Sequence, residues 1–163
     1  MKHLLLLSFI TLFSTLSLAS DLNILVPLSP AGSFQIEADK IRGKVKKVGG
    51  DAYTASKIFV KVDDLKTGMD LRDEHMKAEN RLNEKKYPRI EVTNIKAKGG
   101  KGIGVIHIKG KKEKINFVYK ANSKDFTAKF KLDVTKFPLK DLKYLGVGVK
   151  GVVAVTAVIP IKN

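Results

Sequence analysis

Lys114-Ile115-Asn116-Phe117-Val118-Tyr119-Lys120, a turn at Asn122-Ser123, and then Phe126-Thr127-Ala128-Lys129-Phe130-Lys131-Leu132-Asp133-Val134 decide how this chain folds. Apolar and polar side chains alternate on both sides of the turn. Successive side chains of a strand point to opposite faces. The period of two therefore gathers Ile115, Phe117, Tyr119, Phe126, Ala128, Phe130, Leu132 and Val134 on one face and the lysines on the other. Two such runs joined by a short polar turn predict an antiparallel hairpin with one dry face.

The pattern recurs in both directions. Phe34, Ile36 and Ala38 alternate with Gln35 and Glu37; Ile41, Gly43 and Val45 alternate with Lys40, Arg42, Lys44 and Lys46. Ile58, Val60 and Val62, then Ile90 and Val92, then Ile106 and Ile108 repeat it, and residues 151–159 form a near-continuous apolar run. Gly49-Gly50-Asp51 and Gly99-Gly100 supply further turns. Strands are expected at 33–38, 41–48, 54–63, 89–97, 101–109, 112–121, 124–134 and 150–159. The predicted fold is all-β, an eight-stranded antiparallel β-barrel, since closure removes the exposed edges of an open sheet.

Two longer gaps interrupt the strands. Residues 64–88 hold Leu65, Met69, Leu71, Met76 and Leu82 among many charges, and predict a short helical excursion between the third and fourth strands. Residues 135–149 form a shorter excursion with Phe137, Pro138, Leu139, Leu142, Tyr144 and Leu145. Residues 20–32, with Pro27, Pro30 and Gly32, read as a lead-in segment, which places the barrel domain at 33–163.

Residues 1–19 carry the marks of a cleavable export segment. Lys2 and His3 form a basic start, Leu4 to Leu18 an apolar run, and Ser17-Leu18-Ala19 a small-residue cleavage site. The run is shorter than the roughly 20 residues of a spanning helix. The formal charge of the chain is +15, one unit of which is Lys2. That charge favours anionic neighbours such as a membrane surface, and it also keeps a protein soluble. The chain contains no Cys.

An outer-membrane barrel would alternate too, with its apolar face toward lipid. It would then enclose Lys40, Arg42, Lys44, Lys46, Lys57, Lys61, Lys129 and Lys131 in a narrow lumen with few acids, at a prohibitive desolvation cost. The lysines therefore belong in water and the apolar face inside. A barrel of eight strands is either filled by side chains or holds one small ligand.

Catalytic patterns are absent. No nucleophile stands beside a base, and no pair of carboxylates converges. Only His75 and His107 remain beyond residue 19, too few for a zinc or iron site. Gly102-Ile103-Gly104 lacks the helix that a phosphate loop must open, and is read as a turn or barrel bend, as is Gly146-Val147-Gly148. The run Lys109 to Lys114 is a solvated hairpin with a preference for anionic lipid. Nucleic-acid binding is not expected, because the phenylalanines fall on the inward face instead of interleaving with the lysines.

Asp64-Leu65-Lys66-Thr67-Gly68-Met69-Asp70-Leu71-Arg72-Asp73-Glu74-His75-Met76, with Leu82-Asn83-Glu84-Lys85-Lys86-Tyr87-Pro88, resembles the YceI-like family. That family shows a strand ending in a Thr-Gly turn, then Arg-Asp-x-His, then Tyr-Pro before the next strand. Gly102 to Gly110 looks like its glycine-bounded strand and turn. The resemblance covers roughly residues 33–161. It implies a lipocalin-like barrel exported to the periplasm of a Gram-negative bacterium, with a long apolar cavity that in some relatives holds a polyprenyl chain. Two features depart from the family: the first hairpin looks short between Ser33 and Val48, and Lys109 stands where relatives commonly carry His.

The expectation is a non-enzymatic carrier or storage protein for an isoprenoid or other apolar lipid. The only cofactor-like occupant would be a polyprenyl or fatty-acid-like molecule. Phe34, Ile36, Val60, Ile106, Ile108, Phe117, Phe130 and Leu132 would line the interior. Met69, Leu71, Met76 and Tyr144 would form a lid, and His75 would stand at the mouth. For the Arg72-Asp73-Glu74-His75 cluster the structural reading is favoured: Asp70 or Asp73 caps a helical turn, Arg72 pairs with a carboxylate, and His75 bonds to backbone. The alternative function is an envelope interaction module with a filled barrel and a basic anion-binding surface. The oligomeric state stays open, a homodimer included.

Overall fold

A computed structural model of the chain describes residues 20–162 apart from residue 145. The export segment expected at 1–19 lies outside the described residues. The strands are β1 (Leu22–Ser29), β2 (Ser33–Ala38), β3 (Val45–Gly49), β4 (Ala52–Lys61), β5 (Arg89–Lys98), β6 (Lys101–Ile108), β7 (Lys111–Ala121), β8 (Asp125–Asp133), β9 (Lys143–Tyr144), β10 (Val147–Val149) and β11 (Val152–Lys162). Among the described residues a single α-helix, α1 (Asp70–Lys77), sits in the excursion between β4 and β5, and a 3-10 turn spans Val134–Lys136.

The hairpins form where alternation and turn residues place them. Strands β3 to β8 pair antiparallel in sequence order, and β11 pairs with β8 from Val152↔Asp133 to Pro160↔Asp125. The turn between β5 and β6 has positive φ at both Gly99 and Gly100, as a tight two-residue hairpin demands. At the turn between β7 and β8, the Asn122 side chain accepts from the N–H groups of Lys124 and Asp125.

Closure differs from the eight-strand expectation. The end of β11 pairs parallel with β3 through Ile161↔Val45 and Lys162↔Lys46. That contact closes a ring of seven strands, β3-β4-β5-β6-β7-β8-β11. Higher on the wall, residues 22–25 of β1 pair with residues 154–157 of β11, and β2 pairs with β1 along its length. β2 reaches onward to Lys66 through the bridge Glu37↔Lys66. The barrel is therefore narrow at its floor and widened at its mouth by an inserted β1–β2 hairpin.

Three sequence expectations are corrected. Residues 22–29 of the supposed lead-in are a full strand, so the first hairpin is not shortened; it begins upstream. Pro27 disguised it. Pro27 C=O accepts from Lys150 N–H on the side facing β11 and β10, so its missing N–H falls in the gap between Leu25, the last partner of β11, and Leu28, the first partner of β10. The strand expected at 41–48 begins only at Val45, because Gly43 turns at φ 112° over the backbone of Lys57. Gly102 and Gly104 lie within β6 and face inward instead of forming a turn. A Cβ at Gly102 would sit 2.2 Å from the Phe117 ring, so the glycine makes room for that ring.

The inward face is dry. Val45, Val62, Leu65 and Phe126 are the most deeply buried large side chains, and the strand lysines, Lys129 among them, point to solvent, as does Lys44 just before β3. The floor is an aromatic plug. Phe126 stacks on Tyr119 at 4.6 Å between centroids, and Tyr53 and Phe117 meet it at 5.3 Å and 6.2 Å. The Tyr119 hydroxyl donates to the Asp51 carbonyl, which satisfies the one polar atom this ring carries into the plug.

Candidate functional site, an apolar cavity with a basic mouth

The narrowing wall leaves space above the plug. An upper cavity of about 510 Å³ lies at the mouth, between the β1–β2 hairpin, α1 and the 134–149 excursion. A lower space of about 120 Å³ lies deeper, above Phe117 and Phe126. The two share Ile24, Ile90, Ile108, Leu132 and Val155 as walls, so they lie end to end. Their combined size falls in the range of small-molecule sites, which are largely apolar with a few placed polar groups.

Most expected lining residues come together here. Phe34, Ile36, Met69, Leu71, His75, Met76, Ile108 and Leu132 border the upper cavity. Val60, Ile106, Phe117 and Phe130 border the lower one, with Ile108 and Leu132 at the join. Tyr144 has its backbone in β9 beside the mouth, while its side chain lies outside the described residues. Sequence reasoning missed Ile24, Val26 and Leu28 on β1, which face the cavity. Their alternation, Leu22, Ile24, Val26, Leu28, was legible but for the proline. It also missed Arg81, Leu139, Leu142, Lys143 and Val149, which come from irregular segments or strands of two or three residues, too short for a periodicity to betray a facing direction.

The Arg72 cluster is arranged differently from expectation. Asp73 is a buried acid inside α1, not its cap. Its Oδ1 accepts from both the N–H and the hydroxyl of Thr67, each at 2.7 Å. That bond ties α1 to the strand-like segment that carries Lys66. The N-cap position is Met69, which makes no side-chain cap bond. Among the described residues Arg72 pairs with no carboxylate. Its guanidinium lies 4.4 Å over the Phe34 ring and donates to Met69 Sδ at 3.0 Å. Met69 and Leu71 are 52% and 55% exposed, an apolar lip on the solvent side of the mouth. His75 is an exposed residue of the same rim.

Arg81 lines the cavity with its Nε buried and no hydrogen-bond partner. An unmade buried donor costs about 1–3 kcal/mol, and more for a charged group. At the top of β8, Asp133 caps the 3-10 turn. The Thr135 hydroxyl and then its N–H, both donating to the carboxylate, hold Asp133 below the usual aspartate range. His107 stands on the outer face of β6, its ring 3.0 Å from the Thr93 hydroxyl, away from the cavity. Among the described residues no group of three or more His, Cys, Asp or Glu is placed to hold a metal ion.

The YceI-like domain pattern matches residues 26–161. No curated protein matches the chain in sequence. Several solved structures share its fold. BcnA of Burkholderia cenocepacia is 15% identical with a TM-score of 0.66, over 86% of this chain and 96% of that one. A polyisoprenoid binding domain from Saccharophagus degradans, implicated in plant cell wall breakdown, is 12% identical with a TM-score of 0.60, over 84% and 90%. The YCEI protein of Campylobacter jejuni is 15% identical with a TM-score of 0.53, over 78% and 85%. The match of the domain pattern to most of the chain, on a lipocalin-like barrel of this construction, places the protein in the YceI-like family.

Proposed function

We propose that this protein is a carrier or storage module that holds the apolar chain of an isoprenoid-like lipid inside its barrel, after export to the periplasm through cleavage of residues 1–19, and does no chemistry on it. The observation that carries the reading is the stacked pair of apolar cavities above a sealed aromatic floor. Burying a chain there yields about 0.8 kcal/mol per methylene, so length alone can give tight binding with few polar contacts. The exposed Met69 and Leu71 offer an apolar surface over which a chain can enter. The polyisoprenoid binding domain from Saccharophagus degradans has the same fold. The filled-barrel alternative has the open interior against it. The lysine-covered exterior supports peripheral contact with anionic membrane, which would bring the mouth to its cargo.

Native mass spectrometry and organic extraction of freshly purified protein test the proposal. One long-chain apolar molecule per barrel is the expected result. No copurifying lipid, together with no thermal stabilisation of the stripped protein by added lipid, would overturn it.

A further inference from the structure

The mouth of the cavity is charged with one sign only. Its walls include Arg72, Arg81 and Lys143, and no Asp or Glu among the described residues. Among the described residues none of the three cations is in an ion pair. Of the acids in the same stretch, Asp63 meets Lys77, Asp64 meets Arg42, Asp73 bonds Thr67 and Asp141 bonds Asn80, while Asp70, Glu74, Glu79 and Glu84 do not line the cavity. Arg42 and Lys77 are thus neutralised while the cavity cations are not.

Arg72 is held in position without being neutralised, and Arg81 has a donor to spare. Arg72 is fixed by the face of Phe34 and by Met69 Sδ, two uncharged contacts. Arg81 keeps a buried Nε donor unused. A guanidinium presents donors in a planar fork that fits carboxylate and phosphate oxygens. At the edge of a low-dielectric cavity an anion gains more from such donors than it would in water.

We infer that the lipid held in the barrel carries an acidic head, a carboxylate or a phosphate, received at the mouth by Arg72 and Arg81 with Lys143 beside them. The inference rests on the apolar-chain reading above and adds the chemistry of the other end. A neutral head, such as an alcohol, would leave three cations uncompensated.

The test uses lipid-stripped protein and displacement of a fluorescent apolar probe by matched pairs: palmitate against hexadecanol, and geranylgeranyl phosphate against geranylgeraniol. Each acid is expected to bind at least tenfold more tightly than its alcohol at low salt. The preference should shrink as salt rises. Arg72→Gln and Arg81→Gln should each erase most of it, read as the acid-to-alcohol ratio within each variant. A stronger preference in the geranylgeranyl pair marks phosphate as the head, and a stronger one in the palmitate pair marks carboxylate. Equal binding of acid and alcohol by the unaltered protein would overturn the acidic head and leave the chain reading intact. Failure of all four molecules to displace the probe would overturn the chain reading itself. The comparison on unaltered protein needs no variant, so a variant that fails to fold does not blunt it.

Discussion

Phe126 and Phe130 are the same residue on the same face of β8, one turn of the alternation apart from being neighbours, yet truncating them should cost different amounts. Phe126 is 0% exposed and meets three aromatic rings at 4.6–6.2 Å. Phe→Ala in a core typically costs about 3–5 kcal/mol, and aromatic pairs add about 0.5–1.5 kcal/mol each beyond buried area. Phe126 touches the lower cavity on one side, but three rings enclose it on the others and leave little room for collapse, so Phe126→Ala belongs at the upper end, about 5 kcal/mol. Phe130 is half-buried and borders the hollow. On that side its ring has no partner atoms to lose. Its loss should fall to about 2 kcal/mol, mostly the transfer part. The gap of about 3 kcal/mol corresponds to roughly 6–12 °C in Tm for a domain near this size. Urea titration of lipid-stripped protein, near the temperature of maximum stability, reads the difference directly. An unchanged slope for both variants keeps the comparison valid. Equal losses at the two positions would mean that Phe130 is packed as solidly as Phe126, and the reasoning from a hollow barrel would be refuted.

Asp73→Ala removes a buried carboxylate that accepts two hydrogen bonds from Thr67, and should cost about 2–3 kcal/mol. Hydrogen exchange should quicken first in α1, because Asp73 is its tie to the wall; uniform quickening over the barrel would contradict that role. Gly102→Val places a side chain where the Phe117 ring lies 2.2 Å from an added Cβ, and should destabilise by about 1–3 kcal/mol. The Phe117 ring borders the lower cavity, and a ring displaced into it should weaken lipid binding as well, which competition with a fluorescent lipid would show.

The strands of the barrel were legible because alternation is a local property with a two-residue period. Phe126, Ala128, Phe130 and Leu132 need no knowledge of the rest of the chain to choose a common face, and Gly99-Gly100 or Asn122-Ser123 need none to choose a turn. The helical excursion and much of the cavity wall were legible for the same reason, or through the resemblance of the Thr67 to His75 stretch to its family. What failed was whatever depended on a distant partner. Pro27 argues against a strand unless one knows that its edge falls between β11 and β10. Gly102 reads as a bend unless one knows that Phe117 lies across it.

The sequence by itself therefore determined most of the wall: strands β2, β4 to β8 and β11, which face is dry, and that the lysines stand in water. Each of these follows from side-chain period and the cost of burying charge. Only the tertiary structure decided that seven strands close the floor while the β1–β2 hairpin widens the mouth, because closure depends on which edges meet. Only it brought Arg72, Arg81 and Lys143 to one unpaired rim. Irregular segments carry no periodicity, and a cation's partner is set by what packs beside it in space.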